Sequence, residues 1–179
     1  AICRRATRKA FPMTQSGLRL RDIKKSYGAI QAVSGVSFNV EPGEILGVIG
    51  PNGSGKTSVA REVMKIVNAQ PIPKRQRHNF AYRGFLEIPV VSIPVMVLGR
   101  YETACGGMDT ISDKEDRFQL LVNSCMPNTI VFMEGLITGK TFGRMGAWLA
   151  EQEAKGKCRA IWAFMDTPFN VCVDRVLMR

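Results

Sequence analysis

A single histidine, His78, and five cysteines with no C-x-x-C pair are all the soft metal-ligating side chains in this chain. A zinc site needs such ligands grouped at short spacing, and Cys3, Cys105, Cys125, Cys158 and Cys172 are scattered and odd in number, so neither a zinc centre nor a disulfide framework is expected. They read as reduced thiols of a cytoplasmic protein. The same scarcity argues against nucleophilic catalysis by Cys105, which has no histidine within reach in sequence to activate it. No apolar run is long enough to span a bilayer: the most apolar segment, Ile88 to Gly99, is broken by Pro89 and Pro94 and suits buried strand and loop. The first ten residues hold no apolar core of a secretory signal. Acidic residues are scarce at the front, where residues 1–80 carry 14 Lys or Arg against 4 Asp or Glu, whereas residues 81–179 carry 11 of each. The net charge of +10 therefore belongs to the first part. No aromatic-interleaved motif accompanies it, so there is no firm nucleic-acid signal, and solvated charge or steering of phosphate ligands accounts for it better. With 45% hydrophobic and 22% charged residues the composition is that of a globular protein.

Against these absences stands one dense motif. Gly50-Pro51-Asn52-Gly53-Ser54-Gly55-Lys56-Thr57 satisfies G-x-x-x-x-G-K-[ST] at each fixed position and follows the apolar run Ile45-Leu46-Gly47-Val48-Ile49, the strand–loop–helix context in which the motif has physical meaning. The glycines let backbone N–H groups face a phosphate, Lys56 reaches the β and γ oxygens, and Thr57 offers a hydroxyl to Mg²⁺, with Ser58 next to it in the helix start that adds its positive end. A nucleoside triphosphate, ATP, and Mg²⁺ are the expected ligands, with Gly50 through Ser58 as the binding residues.

The rest of the chain falls into alternating elements. Leu18 to Ile23 and Gly35 to Val40 read as two strands joined through Tyr27-Gly28, an antiparallel β piece. A helix follows Thr57 as far as Val67, and Asn68 to His78 reads as a basic loop containing Lys74-Arg75-Gln76-Arg77-His78. Val95 to Leu98, Thr129 to Met133 and Arg159 to Met165 read as buried strands. Between them, Ser112-Asp113-Lys114-Glu115 is a capping box opening a helix with Phe118, Leu121, Val122 and Cys125 on one face. Gly143 to Lys155 is a helix with Met145, Trp148 and Leu149 inward, and Thr167-Pro168 should cap and start a last helix. Strands alternating with helices predict an α/β fold, a P-loop NTPase with a mainly parallel sheet flanked by helices and ligands at the carboxyl ends of the strands. Met13 reads as a natural start, which makes residues 1–12 a disordered leader and 13–179 one domain: a β piece over 13–49, then the P-loop and core over 50–179. The chain stops inside a helical pattern at Leu177-Met178-Arg179, as a truncated carboxyl end would.

Residues 18–57 resemble the start of an ABC transporter ATPase subunit of the branched-chain amino acid importer type. The resemblance is carried by Lys24-Lys25-Ser26-Tyr27-Gly28-Ala29-Ile30-Gln31-Ala32-Val33, by Val36-Ser37-Phe38-Asn39-Val40-Glu41-Pro42-Gly43-Glu44-Ile45-Leu46-Gly47, and by the loop itself. It implies that Tyr27 stacks on adenine and that a membrane partner exists, but no L-S-G-G-Q signature follows. Residues from about 94 to 179 resemble instead phage-type P-loop proteins related to nucleoside and nucleotide kinases, through Leu98-Gly99-Arg100-Tyr101-Glu102-Thr103-Ala104-Cys105-Gly106-Gly107-Met108-Asp109-Thr110-Ile111, Val131-Phe132-Met133-Glu134-Gly135-Leu136 and Phe164-Met165-Asp166-Thr167-Pro168 with the helix after it. This second resemblance implies that Arg175 and Arg179 approach the transferred phosphate. The chain thus resembles a join of two P-loop proteins at the loop they share.

Glu134, ending an apolar strand, can organise Mg²⁺ or its waters or accept a proton from an attacking hydroxyl. Arg144 can stabilise transferred charge. Asp109, Arg100 and Tyr101 are the candidates for binding the phosphate acceptor. The expected catalytic set is Lys56, Glu134, Arg144 and Arg175, and the expected metal ligands are Thr57 and Glu134. Three readings stay open: kinase-like phosphoryl transfer from ATP to a nucleoside, nucleotide or other small acceptor; the ATPase subunit of a transporter; and a hybrid that binds nucleotide without turning it over.

Overall fold

The computed structural model describes residues 17–72, 80–89, 91–135 and 140–178. The leader, Met13, the basic stretch Lys74 to His78, Leu136 and Arg179 lie outside the described residues. The central sheet is built on β3 (Glu44–Ile49), β7 (Ile130–Glu134) and β8 (Arg159–Phe164), with β6 (Val91–Leu98), β5 (Ala81–Ile88) and the short β4 (Gln70–Pro71) extending it in the order β4-β5-β6-β7-β3-β8. Pairs β6–β7, β7–β3 and β3–β8 are parallel, whereas β4–β5 and β5–β6 are antiparallel. The four strands β6-β7-β3-β8 are parallel neighbours, and β5 and β4 add an antiparallel edge. β1 (Leu18–Tyr27) and β2 (Ile30–Val40) form a separate two-stranded antiparallel sheet, the β piece read from the sequence.

Both faces of the large sheet are buried, so its strands are apolar at successive positions and not at alternate ones. Leu46 and Val48 of β3 and Ile130 and Phe132 of β7 face one cluster, while Ile45, Val131 and Met133 face the other. The first cluster is covered by α1 (Lys56–Ile66), through Val59 and Val63, and by the β1–β2 hairpin, through Leu18, Leu20, Val33 and Val40. Phe38 of the hairpin packs on Phe132, ring centroids 6.3 Å apart. The amino-terminal β piece thus has its apolar face occupied by the core that follows it. The second cluster is covered by α2 (Lys114–Ser124) and α3 (Lys140–Ala154), through Leu120, Leu121, Met145 and Leu149. Three residues of the face expected for α2 pack there, Leu121 within the cluster and Phe118 and Cys125 against it, with Phe118 edge-on to Trp148 at 6.1 Å; Leu120 and Ser124 are buried as well.

Two helix starts differ from the sequence reading. Asp113, not Ser112, caps α2, its Oδ1 accepting from the N–H groups of Glu115 and Asp116 at 2.7 and 2.9 Å. A carboxylate at that place also meets the positive helix end. α4 (Phe169–Leu177) has Pro168 as its cap with no side-chain bond, because Thr167 donates its hydroxyl to the carbonyl of Ser54 at 3.2 Å. The residue expected to cap a helix ties that helix to the phosphate loop instead.

Gly47 on β3 lies in register with Trp162 on β8, and a Cβ at Gly47 would fall 2.3 and 2.4 Å from two atoms of the indole ring. Gly47→Val is expected to cost about 1–3 kcal/mol by overpacking, read as a lower midpoint in urea unfolding.

Candidate functional site

The loop between β3 and α1 has the form its sequence requires. Lys56 is buried, and its ammonium donates to the carbonyls of Gly50 at 2.8 Å and Pro51 at 3.1 Å. A polyphosphate would replace these two carbonyls by charged oxygens, which form the stronger bonds. Thr57 lies in the first turn of α1 and its Oγ1 donates to Glu134 Oε1 at 2.8 Å, which leaves the hydroxyl lone pairs available to a cation. Ser58 is buried one position on.

Glu134 ends β7 at the carboxyl edge of the sheet and is 1% exposed. Burial raises its carboxyl from the ordinary value to about 7, against the opposing pull of the Thr57 hydroxyl and the Lys56 charge. A second carboxylate stands close by, because the Gly106-Gly107 turn lies against the end of β7. A Cβ at Gly107 would fall 2.6 Å from the Glu134 carboxyl carbon, one at Gly135 would fall 2.8 Å from Asp109 Oδ1, and one at Gly106 would fall 2.8 Å from Thr57 Cγ2. Three glycines therefore let Thr57, Glu134 and Asp109, from three distant parts of the chain, share one corner beside the phosphate loop. The acid–hydroxyl pair is a fitting seat for Mg²⁺, which takes one or two protein oxygens and completes its shell with phosphate and water. Among the described residues no cluster of three or more His, Cys, Asp or Glu side chains capable of holding a metal occurs.

The remaining expected residues are placed less uniformly. Tyr27 is 48% exposed and lies beside the first turn of α1, with its hydroxyl 3.5 Å from Ser58 Oγ and the Lys25 ammonium 5.4 Å from its ring centre. The Ser58 contact is the main cause of its lowered phenol pKa. Arg175 on α4 reaches the loop from outside: Nη1 donates to the Gly53 carbonyl at 3.1 Å and Nη2 to the Gln31 carbonyl. Tyr101 is in the core, donating to the Leu98 carbonyl at 3.3 Å and packed edge-on to Tyr82, so its ring does not present a binding surface. Burial holds its phenol well above the usual range. Arg144 pairs with Glu115 at 2.5 Å and lies 4.0 Å over the Phe118 ring. Its contacts are on α2, not on the loop. Arg100 lies 5.0 Å over Phe80 and 3.7 Å from Glu102.

Two features of the site are not legible from the motif. Arg61, one turn into α1, donates to the carbonyls of Tyr101 and Thr103 at 3.4 and 2.5 Å and so fastens the Arg100–Asp109 segment to the helix that follows the loop. A cleft of about 250 Å³ also opens between β2 and the β8–α4 junction, with Ser54 in its wall. Only the path of the chain after β8 reveals it.

Comparison with known proteins gives two likenesses that overlap. Residues 33–73 match the family described as ABC transporter. The chain is similar to the Nod factor export ATP-binding protein I of Paraburkholderia xenovorans (strain LB400), 39% identical over 74 residues, which is 36% of this chain and 24% of that protein. With that of Rhizobium etli it shares 41% identity over 93 residues, 47% of this chain and 29% of the relative. The chain thus spans only about a quarter of the length of these relatives. The 5-hmdU DNA kinase of Pseudomonas phage PaMx11 matches 75% of this chain and 68% of its own length, at 29% identity over 139 residues. A match of that extent includes Gly50 to Thr57, as does the family match. The chain carries an ABC transporter-like stretch at its front and a phage kinase-like span over most of its length, and both include the P-loop of an α/β nucleotide-binding fold.

Proposed function

We propose that this protein binds Mg-ATP on its P-loop and transfers the γ-phosphoryl group to an acceptor hydroxyl. The observation that carries this reading is the corner shared by Thr57, Glu134 and Asp109 beside Lys56. A binding loop alone needs no second carboxylate, whereas group transfer needs one group for the metal side and another facing the acceptor. Lys56 and the N–H groups of Gly53 to Thr57 hold the β and γ phosphates. Thr57 and Glu134 hold Mg²⁺, which when bound neutralises charge on the phosphate oxygens. Asp109 accepts the proton of the acceptor hydroxyl as its oxygen bonds to the γ phosphorus and the bridging P–O bond breaks, the electron pair leaving with ADP. Arg175, released from the loop carbonyl it now holds, is the nearby cation for the charge that develops. Arg100 is the candidate for orienting the acceptor. The setting of this reading is the cytoplasm; among the described residues no helix is long and apolar enough to cross a membrane.

The acceptor class is a nucleoside, a nucleotide or a small molecule like them, and the name of the phage relative points to DNA carrying 5-hmdU. The test is a panel of γ-labelled Mg-ATP against nucleosides, nucleoside monophosphates and an oligonucleotide containing 5-hmdU, with labelled product and free phosphate both scored. Label on one acceptor is the expected result. Free phosphate alone, together with ATP-dependent dimerisation in gel filtration, favours the transporter-type ATPase that the match over residues 33–73 suggests. Label in neither means that the loop binds without turnover.

A further inference from the structure

The cleft between β2 and the β8–α4 junction is formed by both parts of the chain. Val33 and Val36 of the hairpin face Pro168 and Val171 of the α4 end, with Asp166 and Arg175 among its polar groups. Its volume of about 250 Å³ lies near the lower end of small-molecule sites, about 300 Å³, which suits one flat ring system with a sugar. Ser54 belongs to the phosphate loop and to the cleft wall at once. It is 1% exposed, and its Oγ is one of two buried side-chain polar atoms among the described residues without a hydrogen-bond partner. A buried hydroxyl without a partner is unfavourable, and a bound polar group would supply one. That hydroxyl lies beside Met165, another wall residue, since a Cβ at Gly50 would fall 2.8 Å from Ser54 Oγ and 2.9 Å from Met165 Cβ. Backbone approach keeps both walls against the loop: a Cβ at Gly55 would fall 2.4 Å from the Ala32 carbonyl, and one at Gly53 would fall 2.3 Å from the Cys172 carbonyl.

We infer that this cleft receives the nucleoside end of the triphosphate whose phosphates the loop holds, with Ser54 and Asp166 as its hydrogen-bonding groups and Val33, Val36 and Val171 as its apolar walls. This rests on the proposed nucleotide binding and assigns the base to the seam between hairpin and α4, away from the exposed Tyr27 ring. Asp166 accepts from an amino or ribose hydroxyl group, and Ser54 Oγ gains the partner it lacks. The hairpin thereby becomes part of the nucleotide site of a kinase-like core.

The test is calorimetric titration of ATP and of inorganic tripolyphosphate, with Mg²⁺, into the whole protein and into Ser34→Trp and Val171→Trp. Ser34 is an exposed wall residue, so its variant keeps the test open if the α4 variant fails to fold. The wild type is expected to bind ATP at least about tenfold tighter than tripolyphosphate, and each folded tryptophan variant is expected to lose most of that preference while keeping its affinity for tripolyphosphate. Equal affinity for both ligands in the wild type, or a preference that survives both substitutions, overturns the cleft assignment and leaves phosphate binding intact. Binding of neither ligand overturns both readings.

Discussion

Glu134→Gln is expected to make the protein more stable and less active at the same time. Burial raises the Glu134 carboxyl to about 7, so the folded chain keeps a proton that the unfolded chain releases near its ordinary value of 4.5. The stability contributed by that proton is complete below about pH 4.5 and is lost as the pH rises through about 7. The whole effect is about 3 kcal/mol, since each tenfold change in proton affinity is worth about 1.4 kcal/mol. Glutamine is neutral throughout and can still accept from Thr57. Urea unfolding at pH 5.5 and 8.5 should therefore show a fall for the wild type that the variant lacks, leaving the variant the more stable protein at the higher pH. Turnover should fall by roughly 10²–10³, the usual effect of losing one preorganised charged group. Wild-type kcat/KM, which reports the groups of the unliganded enzyme, should rise with pH as the Glu134 carboxyl ionises. Parallel pH profiles for the two proteins would show that Glu134 is already ionised when buried.

Gly107→Ala carries the other large expected effect. Gly107 has φ +90° and ψ −168°, a region open to glycine and strained for other residues. A Cβ there would also fall 2.5 Å from the Glu134 carbonyl and 2.6 Å from its carboxyl carbon. Backbone cannot yield as a side-chain tip can, so the turn must withdraw and carry Asp109 with it. The expected cost is on the order of 3 kcal/mol from strain and clash together. Activity should be lost more than ATP affinity, since the loop itself is untouched. Gly146→Ala in α3 is the control: nothing lies within 4 Å of a Cβ there, and alanine should gain about 1 kcal/mol of helix stability. Thermal unfolding and turnover of both variants separate a local fault at the site from a general effect of substituting glycine.

What could be read from residues alone depended on how local the signal was. The phosphate loop, β3, β7, β8 and α1 were legible because short apolar runs with glycine punctuation specify them without help from distant residues. Glu134 was legible as the last residue of such a run. Of β6 only Val95 to Leu98 was legible, because Pro94 argues against an interior strand before it. The structure shows why proline is tolerated: β6 pairs with β5 from Val91 onward but with β7 only from Val95, so the β7 side of the strand is unpaired at Pro94. Tyr101 and Arg144 looked like site residues from their neighbours, yet their positions are set by tertiary packing against Tyr82 and Phe118. Asp113 took the capping role from Ser112, and Thr167 took up the loop carbonyl of Ser54, for the same reason: two adjacent residues can each cap, and only the packed chain decides between them. The seam that brings hairpin, loop and α4 together joins residues more than a hundred positions apart, as in the Arg175 bond to Gly53, and no local pattern encodes it.

Nucleotide binding by this protein depends first on Lys56, whose ammonium now rests on the carbonyls of its own loop. Titration of Mg-ATP into the wild type and into Lys56→Ala tests it most directly. Saturable binding by the wild type, weakened about a hundredfold or more in the variant, is the predicted result. Equal affinity in the two proteins would contradict it, and would mean that Gly50 to Thr57 is a glycine-rich turn that does not hold the phosphates.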